Sequence, residues 1–175
     1  PMALHNEIEF ENDICDHLAA NGWLLSVGSA DSGYCPRLAM FLPDVIEWVR
    51  QTEPQAWETL QKNHGVKAEA TLLERLRSSL DQKGTLDVLR HGFDVHGLKQ
   101  PLKMAQFKPA LAMNPAIVER YEANRLRVVR QVHYSLHTKN SIDLVLFLNG
   151  IPVATVELKT DHTQSIDDAV LQYKK

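Results

Sequence analysis

The chain has 175 residues, 44% of them hydrophobic and 23% charged, and a formal charge of −3. That length suits one domain, able to bury about two thirds of its unfolded surface, and the acidic balance leaves nucleic-acid binding to a local patch. Cys15 and Cys35 are too few for a disulfide framework and point to a reducing, cytoplasmic compartment, while no apolar run suits a membrane span and the N-terminus is no signal peptide.

The first predicted element is a helix from His5 to Ala20, closed by Asn21-Gly22, a good C-terminal capping pair. Its inward stripe reads Ile8, Cys15 and Leu18, with Phe10 and Ile14 beside it. Glu11 falls inside that stripe, three residues after Ile8 and seven before Leu18, while Glu7, Glu9, Asp13 and Asp16 form the solvated face. Glu11 is either a surface acid out of phase or an acid in need of a partner. A metal or a buried Arg or Lys would serve.

A helical insertion follows, over about residues 43–123. Pro43-Asp44 opens a short helix through Val49, and Thr52-Glu53-Pro54-Gln55 reads as a capping box for a second, reaching about Asn63. Lys67 to Gln82 is a third, with Leu72, Leu73, Leu76 and Leu80 on one face and Gly84 at its end. Trp23, Trp48 and Trp57 sit in apolar periodicity and read as packing aromatics, not as a base-stacking platform. Leu86 to Gly92 fits a strand or a turn of helix, the stretch with Pro101 and Pro109 reads as loop, and Asn114-Pro115 caps a helix to about Ala123.

Arg125 to Leu136 alternates as a long strand. Arg125, Arg127, Arg130 and Lys139 make a basic stretch with no acid between 125 and 139. Two readings stand: contact with nucleic-acid phosphates, or pairing with the chain's abundant acids. Ser141 to Leu148 and Ile151 to Lys159 are apolar runs joined by Asn149-Gly150, a strong hairpin signal. Ser165 then opens a capped helix through Tyr173. The predicted class is α/β, one domain over 1–175 whose core is a helix, a three-stranded antiparallel meander and a helix.

The hairpin carries charge where a core strand should not: Asp143, Glu157 and Lys159. Buried charges need pairing or a metal, and two close carboxylates are the hard oxygen ligands that Mg²⁺ takes alongside waters and a phosphate. Glu157 and Lys159, two apart on a strand, share a face and set an ammonium beside such a metal. The same residues also fit an edge-strand salt bridge between Lys159 and a neighbouring acid. Register separates these readings. A strict two-residue loop pairs Leu148 with Ile151 and Ile142 with Glu157, which turns Asp143 to the opposite face. A shared metal needs Asp143 opposite Glu157, hence Leu148 opposite Pro152 across a three-residue loop with a bulge at Gly150. No phosphate-binding loop, HExxH, zinc-spaced His/Cys cluster or nucleophile elbow is present.

Asp143…Glu157-Leu158-Lys159 on the second and third predicted strands, preceded by a helix bearing Glu11, resembles the PD-(D/E)xK nuclease superfamily. More narrowly, the chain resembles the N-terminal nuclease domain of the R (restriction and motor) subunit of type I restriction enzymes. The matching stretches are Phe10-Glu11 with Leu18 and Gly22-Trp23, Thr52-Glu53-Pro54 with Trp57, Leu86 to Gly92, and Tyr121 with Asn124. Val129-Arg130-Gln131 with Tyr134-Ser135, Asn149-Gly150-Ile151-Pro152 and Glu157-Leu158-Lys159 complete them.

The resemblance implies a restriction-endonuclease-like fold and Mg²⁺-dependent hydrolysis of DNA phosphodiesters, with Mn²⁺ able to substitute. It makes Asp143 and Glu157 metal ligands, with the Leu158 carbonyl completing the shell. Lys159 would position or activate the attacking water, and Glu11 would reach the site from its helix. Gln172 matches a family glutamine on the helix after the ExK strand; the tyrosine that often follows it four residues on lies beyond this chain, and Tyr173 does not fit that spacing. Double-stranded DNA would be the substrate, cut without sequence preference, and the modification and specificity subunits would be partners. ATP would be used only by a motor in the full-length subunit, of which this chain is a nuclease-domain fragment. The rival reading is a non-catalytic DNA-clamping or subunit-docking module of the same fold.

Overall fold

An amphipathic stripe followed by a glycine at a left-handed position makes a self-terminating helix. In the structure, a computed structural model describing residues 2–28, 32–111, 113–133 and 141–158 with side chains from residue 7 onward, this is α1 (Met2–Ala20). Gly22 takes φ +89°, and the Gly22 and Trp23 amides donate to the Ala19 and Leu18 carbonyls. Cys15 is buried, and with Ile14, Leu18 and Trp23 it meets Val128, Leu144, Leu146 and Val156 of the sheet. Ile8 and Phe10, expected inward or close to it, are 49% and 56% exposed. The described apolar residues that receive α1 gather under its C-terminal half, so among the described residues the stripe has no apolar partner further up.

Among the described residues the sheet has four strands in the order β1 (Leu24–Val27), β4 (Leu126–His133), β5 (Ser141–Leu148), β6 (Ile151–Val156). The last three are antiparallel neighbours, and β1 joins β4 in parallel. The expected three-stranded core is thus corrected to a mixed sheet of four. Leu24 to Val27 is too short to alternate visibly, and it finds its partner only through the crossover that follows. A small ribbon, β2 (Tyr34–Cys35) with β3 (Met40–Phe41), sits outside this sheet.

Between ribbon and sheet lie α2 (Leu42–Thr52), α3 (Pro54–His64), α4 (Ala68–Lys83), α5 (Thr85–His91) and α6 (Pro115–Glu122). The leucine face of α4 is buried as its spacing requires: Leu72, Leu73, Leu76 and Leu80. Thr52 does not cap α3. Its hydroxyl donates to the Trp48 carbonyl one turn back, and Glu53, the N-cap position, gives its carboxylate to Arg120 of α6. Residues 85–91 are helical, and Asn114 caps α6 by accepting from the Ala116 amide at 3.1 Å.

Trp48, Phe93, Leu60, Leu72, Leu76 and Met104 form the centre of the helical core, which Ile151 of β6 enters from the sheet. The Trp48 indole donates to the Lys103 carbonyl at 2.8 Å, as a packing tryptophan with a satisfied N–H should. A second layer joins Tyr34 and Phe41 of the ribbon to Val129, Val132, Val145 and Phe147. Since Val128 and Leu144 serve the α1 side, the sheet is covered on both faces.

Burial beneath α1 pushes the Cys15 thiol up from its ordinary value; Arg130 opposes this, and Glu11 and Asp16 add to it. A thiol held protonated is a poor nucleophile, so at about pH 8 a disulfide reagent is expected to modify the half-buried Cys35 first. Cys15 should react only on unfolding, and equal rates for the two in the native chain would contradict its placement. Because the folded pKa is raised, this group's stabilisation is complete below the ordinary thiol pKa and is lost as pH rises through the folded value.

Candidate metal centre

The hairpin turn has the two residues of the tight form: Asn149 at φ +49° and Gly150 at φ +82°, with Leu148 opposite Ile151 and Phe147 opposite Pro152. The expected three-residue loop with its bulge at Gly150 is therefore corrected. Gly150 has no room to rearrange, since a Cβ there would stand 2.4 Å from the Phe41 carbonyl oxygen. Asn149, fully buried, locks the turn by donating to the Met104 carbonyl and Asn124 Oδ1 and accepting from the Arg125 amide.

The bulge lies three residues further on. Val153 is the extra residue between Pro152 and Ala154, after which Leu146 pairs with Ala154 and Leu144 with Val156. The ladder ends at Leu144–Val156, one step short of Asp143 and Glu157; that register continued by one would set them opposite each other, the alignment a shared cation requires. Neighbours across such a ladder have Cα atoms about 4.5–5.5 Å apart. Asp143 Oδ2 accepts from the Leu158 amide at 2.7 Å, which ties the end of β5 to the segment leaving β6. Its Oδ1 has no hydrogen-bond donor among the described residues. Asp143 and Glu157 are half-buried, and Leu158 is buried.

Among the described residues no three His, Cys, Asp or Glu side chains gather as a metal-holding group. The donor set the resemblance implies is different: two carboxylates with a backbone carbonyl. That chemistry fits Mg²⁺, which is commonly held by one or two carboxylates while keeping several waters.

Glu11 is 6% exposed and has found an arginine partner, the part-buried Arg130. Arg130 Nε donates to its Oε1 at 2.6 Å and Gln131 Nε2 to its Oε2 at 3.0 Å, while Arg130 Nη2 reaches Asn12. The other two arginines of the basic stretch converge on Asp44, a fully buried acid of α2. Arg125 Nε meets Oδ1 at 2.8 Å, and Arg127 Nε meets Oδ2 at 2.6 Å. Arg127 also lies over the Phe41 ring and donates to Ser26. Of the two readings open for these arginines, acid pairing is the one the geometry displays. Lys139, Lys159 and Gln172 lie outside the described residues.

Two residues of this region escaped sequence reasoning. Asp44 looked like a helix opener, and nothing local marks it as the anchor of two arginines. Gln131, which stands in the Val-Arg-Gln stretch, takes φ +51° and by register lies opposite Asp143. Surface clefts of about 360 and 380 Å³ lie elsewhere, one lined by Thr52, Ile117 and Arg120, the other by Glu53, Leu98 and Lys99.

A mixed sheet flanked by helices is compatible with an α/β nuclease-like fold. The chain belongs to the family described as type I restriction enzyme R protein N terminus, whose model matches residues 44–175. This is the family its motifs resemble, and it places the chain in a type I restriction system; α1, with Glu11, precedes the matched stretch. No curated protein and no solved structure matches the chain significantly. No described helix is long and apolar enough to cross a membrane.

Proposed function

We propose that this chain is the Mg²⁺-dependent endonuclease domain of its restriction system, hydrolysing phosphodiesters of double-stranded DNA. The observation that carries the reading is the Val153 bulge, whose register, continued one step past Val156, would align Asp143 with Glu157, together with the Asp143–Leu158 hydrogen bond. Asp143, Glu157 and the Leu158 carbonyl would hold the cation, which when bound supplies Lewis-acid stabilisation of charge developing on a phosphate oxygen. Lys159, next along the chain, orients the attacking water or offsets that charge, and Gln172 adds a polar contact. Glu11 reaches the same end of the sheet from α1, held there by Arg130 and Gln131. Arg125, Arg127 and Arg130 contact phosphates with the donors their ion pairs leave over, and Lys139 adds its charge. Mn²⁺ substitutes for Mg²⁺, and ATP serves a motor in the full-length subunit, working with modification and specificity subunits.

The test is cleavage of plasmid DNA by the R subunit assembled with its partner subunits. Glu157→Gln keeps the side-chain size and removes a ligand charge, so cleavage should fall by about 100-fold or more with ATP hydrolysis retained. Undiminished cleavage by Glu157→Gln would exclude the assignment.

A further inference from the structure

In a regular ladder, Val128, Arg130 and Val132 would share one face of β4, and Ile142, Leu144 and Leu146 one face of β5. The packing breaks that rule in both strands at once. Val128 and Leu144 serve the α1 side, yet Val132 and Ile142 pack on the opposite side with Val129 and Val145. Register is unaltered, for Arg130 pairs with Leu144 and Val132 with Ile142. Alternation therefore slips by one residue in each strand at the level between these pairs, where Gln131 faces Asp143.

Gln131 holds the conformation that makes the slip. Its φ of +51° is one that a residue with a Cβ adopts only under constraint, and three contacts supply that constraint. The amide donates to Glu11 Oε2 at 3.0 Å, and its oxygen accepts from Ser141 Oγ at 3.0 Å. On the backbone side Gly28, just past β1, donates to the Arg130 carbonyl at 2.7 Å. A Cβ on Gly28 would come within 2.6 Å of the Gln131 carbonyl oxygen and 2.8 Å of the Val132 Cα. The kink is thus cradled by a glycine on one side and pinned by two side chains on the other.

We propose that Gln131 is a positioning residue for the cation site. Its left-handed backbone shifts the strand alternation by one and so turns Asp143 out of the Val145–Phe147 face toward the Leu158 amide, from which it accepts at 2.7 Å. Without the slip, Asp143 would share the apolar face of Val145 and Phe147, where a carboxylate has no use. The inference rests on the nuclease reading, because it concerns where Asp143 points.

The experiment compares Mn²⁺ affinity, by calorimetry on chains shown to be folded by circular dichroism, for wild type, Gln131→Val and Gln131→Gly. Both variants lack the amide, but only glycine takes the left-handed conformation freely. Valine should weaken Mn²⁺ binding about 10- to 100-fold, the usual range for disturbing a ligand's support, and glycine should restore it to within about threefold of wild type. Equal affinities for valine and wild type would overturn the positioning role while leaving the nuclease reading intact. Absence of Mn²⁺ binding in wild type would overturn both. Should Gln131→Val not fold, Gln131→Ala takes its place: weaker binding than Gln131→Gly upholds the proposal, and equality with it refutes it.

Discussion

Asp143→Asn is expected to lower DNA cleavage on the order of 10³-fold in the assembled R subunit, with duplex affinity held within about twofold. Asparagine preserves shape, and its carbonyl oxygen can still accept from the Leu158 amide that meets Asp143 at 2.7 Å. What it removes is the charge, and with it most of the attraction for a hard divalent cation. Each tenfold in rate corresponds to about 1.4 kcal/mol of transition-state stabilisation, so 10³ asks for the several kcal/mol that a polarising metal supplies. A cleavage assay beside a binding assay on the same duplex separates the two effects. Loss of both together would favour a docking or clamping module whose fold depends on Asp143.

The second large effect concerns stability. Asp44→Ala should destabilise the chain by about 3–5 kcal/mol, the usual range when one partner of a buried ion pair is deleted. Asp44 is fully buried at the start of α2, and two guanidinium groups close on it, Arg127 of β4 and Arg125 just before that strand. Arg127, with its side chain 12% exposed, would keep only Ser26 and the face of Phe41. An ammonium or guanidinium left this way carries its desolvation cost uncompensated. Urea unfolding followed by tryptophan fluorescence measures the change, and a loss below about 1 kcal/mol would mean that the pairing of α2 with β4 does not hold the two layers together. Replacing the Arg37–Glu74 pair, exposed on both sides, should cost far less by the same assay.

These cases also mark how far the sequence speaks. The α4 leucines, the Asn-Gly turn and the C-cap of α1 are local signals, each set by residues within a turn of one another, and the structure realises them. Glu11 was legible as a residue in need of a partner, although the identity of Arg130 was not, since that contact spans 119 positions. The arginine stretch was ambiguous for the same reason: its acids lie 81 and 83 positions away. β1 failed to show because four residues cannot display alternation, and a parallel strand takes its register from a distant partner.

The hairpin is the most instructive case. Sequence reasoning found that Asp143 and Glu157 could meet only if one residue were left out of the pairing, and it placed that residue in the turn. The tight Asn149-Gly150 turn is fixed instead by the buried Asn149 amide and the close approach of Gly150 to Phe41, so the extra residue moves to Val153. The slip at Gln131 gave no signal at all, because a left-handed glutamine is made by its surroundings and not by its own preference.

A Mn²⁺ titration of this chain, followed calorimetrically against Asp143→Ala, tests the central claim most directly. Saturable binding to the wild-type chain that vanishes in the variant is the predicted result, and it would establish that the aligned carboxylates form a cation site. Binding of equal strength in both, or none in either, would contradict the site.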